Sequence, residues 1–179
     1  MKVGDMTDAI YVGIDPGLDG AVVEIHGVAV RAWMMPVIAG KKKQYNMRKI
    51  WTQLALLPEA CGSQEVYAAL EKGQAMPKQG VSSMFNFGFG CGLLQMALVA
   101  AGVSYVLVRS QEWQKVICKG LSGDPKQRSI QAAQMQLPGL ELRKSEQAKG
   151  PHRGIADAAC LALYARWYFG REEQIPCGT

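Results

Sequence analysis

Apolar positions come in short blocks divided by turn formers. Ile10 to Ile14 and Ala21 to Ile25 are apolar runs separated by Asp15-Pro16-Gly17-Leu18-Asp19-Gly20, which predicts a β-hairpin with a carboxylate where the first strand ends. Val28 to Met34 alternates as a third strand after the short turn at His26 and Gly27, so the chain opens as an antiparallel meander that Pro36 ends. A basic loop, Gly40-Lys41-Lys42-Lys43-Gln44-Tyr45-Asn46, precedes a helix expected from about Met47 to Leu57 and closed by Pro58. Val66 to Leu70 is a fourth strand ending at Glu71, and Tyr105 to Val108 a fifth ending at Arg109-Ser110.

Between them the pattern predicts a long helix, about Ser82 to Ala101, despite Gly88, Gly90 and Gly92. Each glycine costs a helix interior roughly 1 kcal/mol relative to alanine, so something is expected to approach this backbone closely. Ser110 is suited to cap a short helix through about Cys118, and Asp124-Pro125 is an N-cap and first-turn proline for a helix to about Gln136, which Pro138-Gly139 terminates. A polar, basic linker from Arg143 to Gly150 leads to a final helix, about Arg153 to Phe169, with one apolar face. The expected order is βββαβαβααα. It calls for an α/β fold: a mixed five-stranded sheet, three strands antiparallel and then parallel ones, flanked by helices.

The chain's 179 residues, 49% hydrophobic, suit one domain with a sizeable core. Residues 10–170 are assigned to it, with 1–9 as an N-terminal extension and 171–179 as a tail. No apolar run approaches the ~18 residues of a membrane span, and Met1 to Asp8 shows no signal-like pattern, so a cytoplasmic protein without membrane contact is expected. The cysteines Cys61, Cys91, Cys118, Cys160 and Cys177 lack metal-site spacing and are expected to be reduced, most of them buried. Twenty Lys and Arg against fifteen Asp and Glu leave a net charge of +5, compatible with a polyanionic partner or with a merely basic protein.

Three acids stand at element boundaries: Asp15 ends strand one, Glu71 ends strand four, and Asp157 lies early on the last helix. If strands one and four are neighbours, the first two converge at one sheet edge, and the final helix crossing them brings in Asp157. Clustered carboxylates raise one another's pKa unless cations neutralise them. A pair of Mg²⁺ ions ~3.5–4 Å apart meets that need and suits hydrolysis of a phosphodiester. Taken singly, Asp15 before Pro16-Gly17 could equally form an Asx-turn, and Asp157 could be a surface residue.

Tyr11-Val12-Gly13-Ile14-Asp15-Pro16-Gly17, Ala69-Leu70-Glu71-Lys72 and Ile155-Ala156-Asp157-Ala158-Ala159 resemble, in order and spacing, the successive acidic motifs of the RuvC family. The stretch from Met76-Pro77-Lys78-Gln79 to Phe85-Asn86-Phe87-Gly88 resembles that family's phage and prophage branch, and the likeness runs from about Ile10 to Tyr168. It implies an RNase H-like fold and a homodimeric Holliday junction resolvase, a crossover junction endodeoxyribonuclease that makes paired nicks with Mg²⁺ or Mn²⁺. It also implies that Asp15, Glu71 and Asp157 hold two metal ions.

The chain departs from the family at a fourth position: Gly154 stands about one turn before the last acid, where an Asp or His is usual, and His152 is the nearest substitute. His152 could ligate a metal, relay a proton, or merely cap the helix or face a phosphate. Arg153 is placed to pair with Asp157 or to touch DNA. Lys126 and Arg128 fall where relatives carry basic residues near the cleaved phosphate, and Lys42 lies in the basic loop. Lys78, Gln79 and Phe85 are expected at the junction centre, where stacking on unpaired bases is worth about 1–3 kcal/mol per base, although Phe85 and Phe87 could instead be core residues. Other readings are a branched-DNA nuclease acting on flaps and forks, a non-cleaving junction-binding protein, and, remotely, an ATP-binding module of the actin and sugar-kinase type.

Overall fold

The meander expected at the start of the chain is present in the computed structural model, which describes residues 9–60, 65–73 and 80–172. Strand β1 (Ile10–Ile14) pairs antiparallel with β2 (Ala21–His26), and β2 with β3 (Ala29–Met34). Gly27 makes the tight turn between β2 and β3 at φ 56°, a left-handed conformation open to glycine. Two later strands, β6 (Val66–Glu71) and β7 (Ser104–Val108), add parallel to β1, giving the sheet order β3-β2-β1-β6-β7. The mixed sheet is therefore the one the pattern called for.

Helices cover both faces. On one side lie α1 (Met47–Ala60) and α2 (Val81–Ala100), and on the other α3 (Ser110–Ile117), α4 (Pro125–Gln136) and α5 (Arg153–Glu172). Every residue of β1 is buried because alternate side chains serve two cores: Ile10, Val12 and Ile14 join Leu54, Leu94 and Leu98, while Tyr11 joins Ala158, Leu161 and Ala162. Gly13 lies on the α5 side, and a Cβ there would stand 2.0 Å from the Ala158 carbonyl oxygen and 2.1 Å from the Ala162 nitrogen. The glycine lets α5, lined with alanines, lie directly on β1 two residues before Asp15.

Three expectations are corrected. The basic loop is the tip of a small hairpin, β4 (Val37–Ile38) with β5 (Gln44–Tyr45), which alternation over two residues a side could not reveal. Pro58 does not close α1, which continues to Ala60. A proline so near a helix end removes one backbone hydrogen bond where the closing turn has few to lose.

The third correction concerns α2, whose twenty residues carry no charge and which is long and apolar enough by length and composition to cross a membrane. Its inner face, with Leu94, Ala97 and Leu98, is buried against the sheet. The close approach anticipated at its glycines occurs at Gly90, where a Cβ would fall 2.2 Å from the Tyr45 hydroxyl oxygen, whereas Gly88 and Gly92 face open space. Cys91, Cys118 and Cys160 are free and buried, as expected, while Cys61 and Cys177 lie outside the described residues.

Candidate active site

The parallel pairing of β1 with β6, Ile14 opposite Leu70, brings the carboxyl ends of the two strands side by side, so Asp15 and Glu71 emerge at the same edge. Asp157, in the second turn of α5 and 8% exposed, joins them because that helix crosses β1 at Gly13. The three carboxylates lie within electrostatic reach of one another. Burial, with the charges of Glu71 and Asp157, pushes Asp15 from an ordinary 3.8 up to about 7, against a lowering hydrogen bond from the Gly17 amide. Glu71 and Asp157 are also raised, chiefly by burial.

Each acid has its own partner. The Gly17 N–H donates to Asp15 Oδ1 at 3.2 Å, which is the Asx-type contact weighed from sequence. Arg153 Nε donates to Asp157 Oδ2 at 3.1 Å, and its positive charge opposes the upward shift of all three acids. The Ser110 hydroxyl donates to Glu71 Oε1, and the wholly buried Ser129, on α4, whose hydroxyl donates to the Lys126 carbonyl at 3.2 Å, lies beside Asp157 and favours its ionised form. Neither serine role was anticipated. Ser110 had been read as the cap of α3, but Arg109 is the N-cap, and the Glu112 carboxylate accepts the Arg109 N–H at 3.0 Å.

The β1–β2 turn that carries Asp15 is itself held. Tyr45 donates its hydroxyl to the Pro16 carbonyl at 2.7 Å, and burial lifts its phenol to about 12, so it stays a neutral donor. Gly20 is closed against the same turn, since a Cβ there would meet the Asp15 carbonyl oxygen at 2.2 Å. Gly154 has a similar reason to be glycine. An added Cβ would stand 2.7 Å from the Asp19 carbonyl oxygen and 3.1 Å from Asp15 Oδ2, so backbone occupies the place from which a longer side chain would project.

His152 is grouped differently from the acids. Its charged neighbours are Lys144, Asp19 and Lys43; burial and the two lysines lower its pKa against the opposing pull of Asp19, and its buried Nδ1 has no hydrogen-bond partner among the described residues. Lys43 pairs with Asp19, pinning the basic loop to the β1–β2 turn, and Lys42 is exposed beside it. Lys126 is exposed in the first turn of α4, whereas Arg128 turns inward, its guanidinium 3.5 Å from Gln114 Oε1. Phe85 is 72% exposed and stacks on Phe89, while Phe87 is half-buried over Gly73. Lys78 and Gln79 lie outside the described residues.

The donor set, one buried and two partly buried carboxylates that repel one another, fits a hard divalent cation. Among the described residues no three His, Cys, Asp or Glu side chains stand close enough to hold a metal ion as placed. Glu71 bonds Ser110 and Asp157 bonds Arg153 through one oxygen each, so an ion shared among the acids would be met by the carboxylate oxygens left over.

No protein-family model matches the chain, and no curated protein does. Among solved structures, RuvC of Thermus thermophilus matches over 91% of this chain and 96% of its own, at TM-score 0.57 and 18% identity. The T. thermophilus RuvC in complex with Holliday junction substrate matches over 90% of this chain and 96% of its own, at TM-score 0.56 and 19% identity. At such identity the likeness speaks to architecture: this chain has the RNase H-like fold of RuvC.

Proposed function

We propose that this protein is a divalent-metal-dependent endonuclease that resolves four-way DNA junctions as a homodimer. The observation that carries the reading is the gathering of Asp15, Glu71 and Asp157, from β1, β6 and α5, at one sheet edge with raised proton affinities. Asp15, Glu71 and Asp157 would hold the metal, two Mg²⁺ ions or Mn²⁺ in their place. When bound, such ions activate a water and neutralise charge on the scissile phosphodiester.

The protein's own groups supply orientation. Gly17, Ser110 and Arg153 each fix one carboxylate, and the Tyr45 bond to Pro16 holds the turn on which Asp15 sits. Lys126, Lys42 and Arg153 offer exposed cations for backbone phosphates, whereas Arg128 serves mainly to tie α4 to α3. Phe85 presents an open ring for stacking on an unpaired base. Beside Glu71, a hollow of about 340 Å³ lined by Met84, Phe87 and Cys91 offers further apolar surface. His152, set among Asp19, Lys43 and Lys144, suits a phosphate-facing role better than a place in the metal shell.

The dimer reading rests on α2. Phe89, Gly92, Met96 and Val99 recur at helical spacing along one exposed, uncharged stripe, the kind of surface that a second chain covers.

The test is incubation of the protein with a labelled four-way junction, a fork and a linear duplex, with and without Mg²⁺, beside an Asp15→Asn control. Paired symmetric nicks that need Mg²⁺ and vanish in the variant are expected. Cleavage of the fork as fast as the junction would reassign the protein to general branched-DNA processing. A second reading, a junction-binding protein without turnover, is favoured by the backbone that closes the fourth position at Gly154; tight binding without cleavage in Mg²⁺ or Mn²⁺ would establish it.

A further inference from the structure

We infer that Ser110 is a positioning residue for the nuclease reaction, its hydroxyl fixing Glu71 Oε1 and so setting which oxygen of that carboxylate is left to meet a metal ion. The inference rests on the reading of Asp15, Glu71 and Asp157 as metal ligands. Its basis is a contact between residues 39 positions apart, made where local needs do not require it.

The sheet register creates the contact. Glu71 is the last paired residue of β6, opposite Val108 of β7, and the Lys72 N–H donates to the Val108 carbonyl at 2.8 Å to extend the ladder. Neighbours across a parallel pair point to the same face, and Ser110 follows Val108 by two residues. The chain has by then entered α3, whose first turn brings the hydroxyl over the Glu71 carboxylate. A serine opening a helix ordinarily spends its oxygen on backbone amides. Here the N-cap position belongs to Arg109, Glu112 takes the Arg109 N–H, and Ser110 donates to Glu71 Oε1 instead.

Glu71 has the greatest need of such a partner. Asp15 is short and held by the adjacent Gly17 amide, and Asp157 is gripped by Arg153 on its own helix. A glutamate has one more rotatable bond and loses more rotamer freedom when fixed. Groups that orient a metal's ligands from the outer shell typically account for 10- to 100-fold in affinity. A hydroxyl that donates to Oε1 also fixes the direction of the second oxygen on the same carboxylate.

The experiment is a Mn²⁺ titration, followed by electron paramagnetic resonance, of the full chain and its Ser110→Ala, Ser110→Thr and Asp15→Asn variants, each first melted in chelator. Ser110→Ala is expected to melt close to the parent without metal and to bind Mn²⁺ roughly 10- to 100-fold more weakly, with Ser110→Thr recovering most of the loss. Unchanged Mn²⁺ affinity in Ser110→Ala would overturn the inference. So would a loss that threonine does not recover, which would assign the serine to packing. Failure of the parent chain to bind Mn²⁺ any better than Asp15→Asn would overturn the metal-site reading itself, and this inference with it.

Discussion

Asp15 carries the largest conflict at the residue scale, because loss of solvent, and after it the charges of two other carboxylates, make its ionised form costly. Below its ordinary value of 3.8, folded and unfolded chains both hold the proton and the site costs nothing. Between 3.8 and about 7 the unfolded chain has released a proton that the folded chain keeps, so stability contributed by this group falls as pH rises across that window. In chelator, Asp15→Asn is therefore expected to be more stable than the parent at pH 8, by an amount bounded at about 4 kcal/mol, and to match it near pH 3. Urea denaturation at the two pH values measures this; a variant equally stable at pH 8 would show that the acids do not repel as placed. Mg²⁺ should narrow the gap at pH 8 by stabilising the parent alone.

At the scale of elements, glycines decide where helices can lie. Gly13→Ala would drive a Cβ into the backbone of α5 at Ala158 and Ala162, neither of which can rotate away. A loss of several kcal/mol in urea denaturation is expected, together with displacement of Asp157 from Asp15. Gly92→Ala meets none of the described residues, and helix propensity alone is expected to stabilise the dissociated chain by up to about 1 kcal/mol. A destabilised Gly92→Ala at high dilution would mean that α2 packs more tightly within its own chain than its open face indicates. Gly90 and Gly92 look alike in the sequence, and only their surroundings, the Tyr45 ring against the first and open space beside the second, separate them.

For the whole molecule, the α2 stripe and the basic surface make separable predictions. Met96, 60% exposed at the middle of the stripe, is far from the acids in sequence and faces outward. Met96→Glu is expected to shift the protein from dimer to monomer in sedimentation velocity while leaving its melting temperature in dilute solution within a few degrees. A parent that sediments as a monomer at micromolar concentration would remove the homodimer from the functional reading.

The alternation of apolar and polar blocks was sufficient for the five strands, their mixed directions and the three acids at element ends, because period and turn chemistry are local properties. Strand-terminal placement foretold that Asp15 and Glu71 share an edge only on the condition that their strands are neighbours, which the β1–β6 pairing meets. What only the tertiary structure decided is non-local. The Ser110 hydroxyl turns from its own helix to Glu71, Tyr45 reaches past Gly90 to the Pro16 carbonyl, and His152 stands with Asp19 and Lys43 apart from the acids. Each of these depends on register, or on how closely two backbones approach. A sequence specifies such distances only through the packing of every element at once, which no single stretch of residues contains.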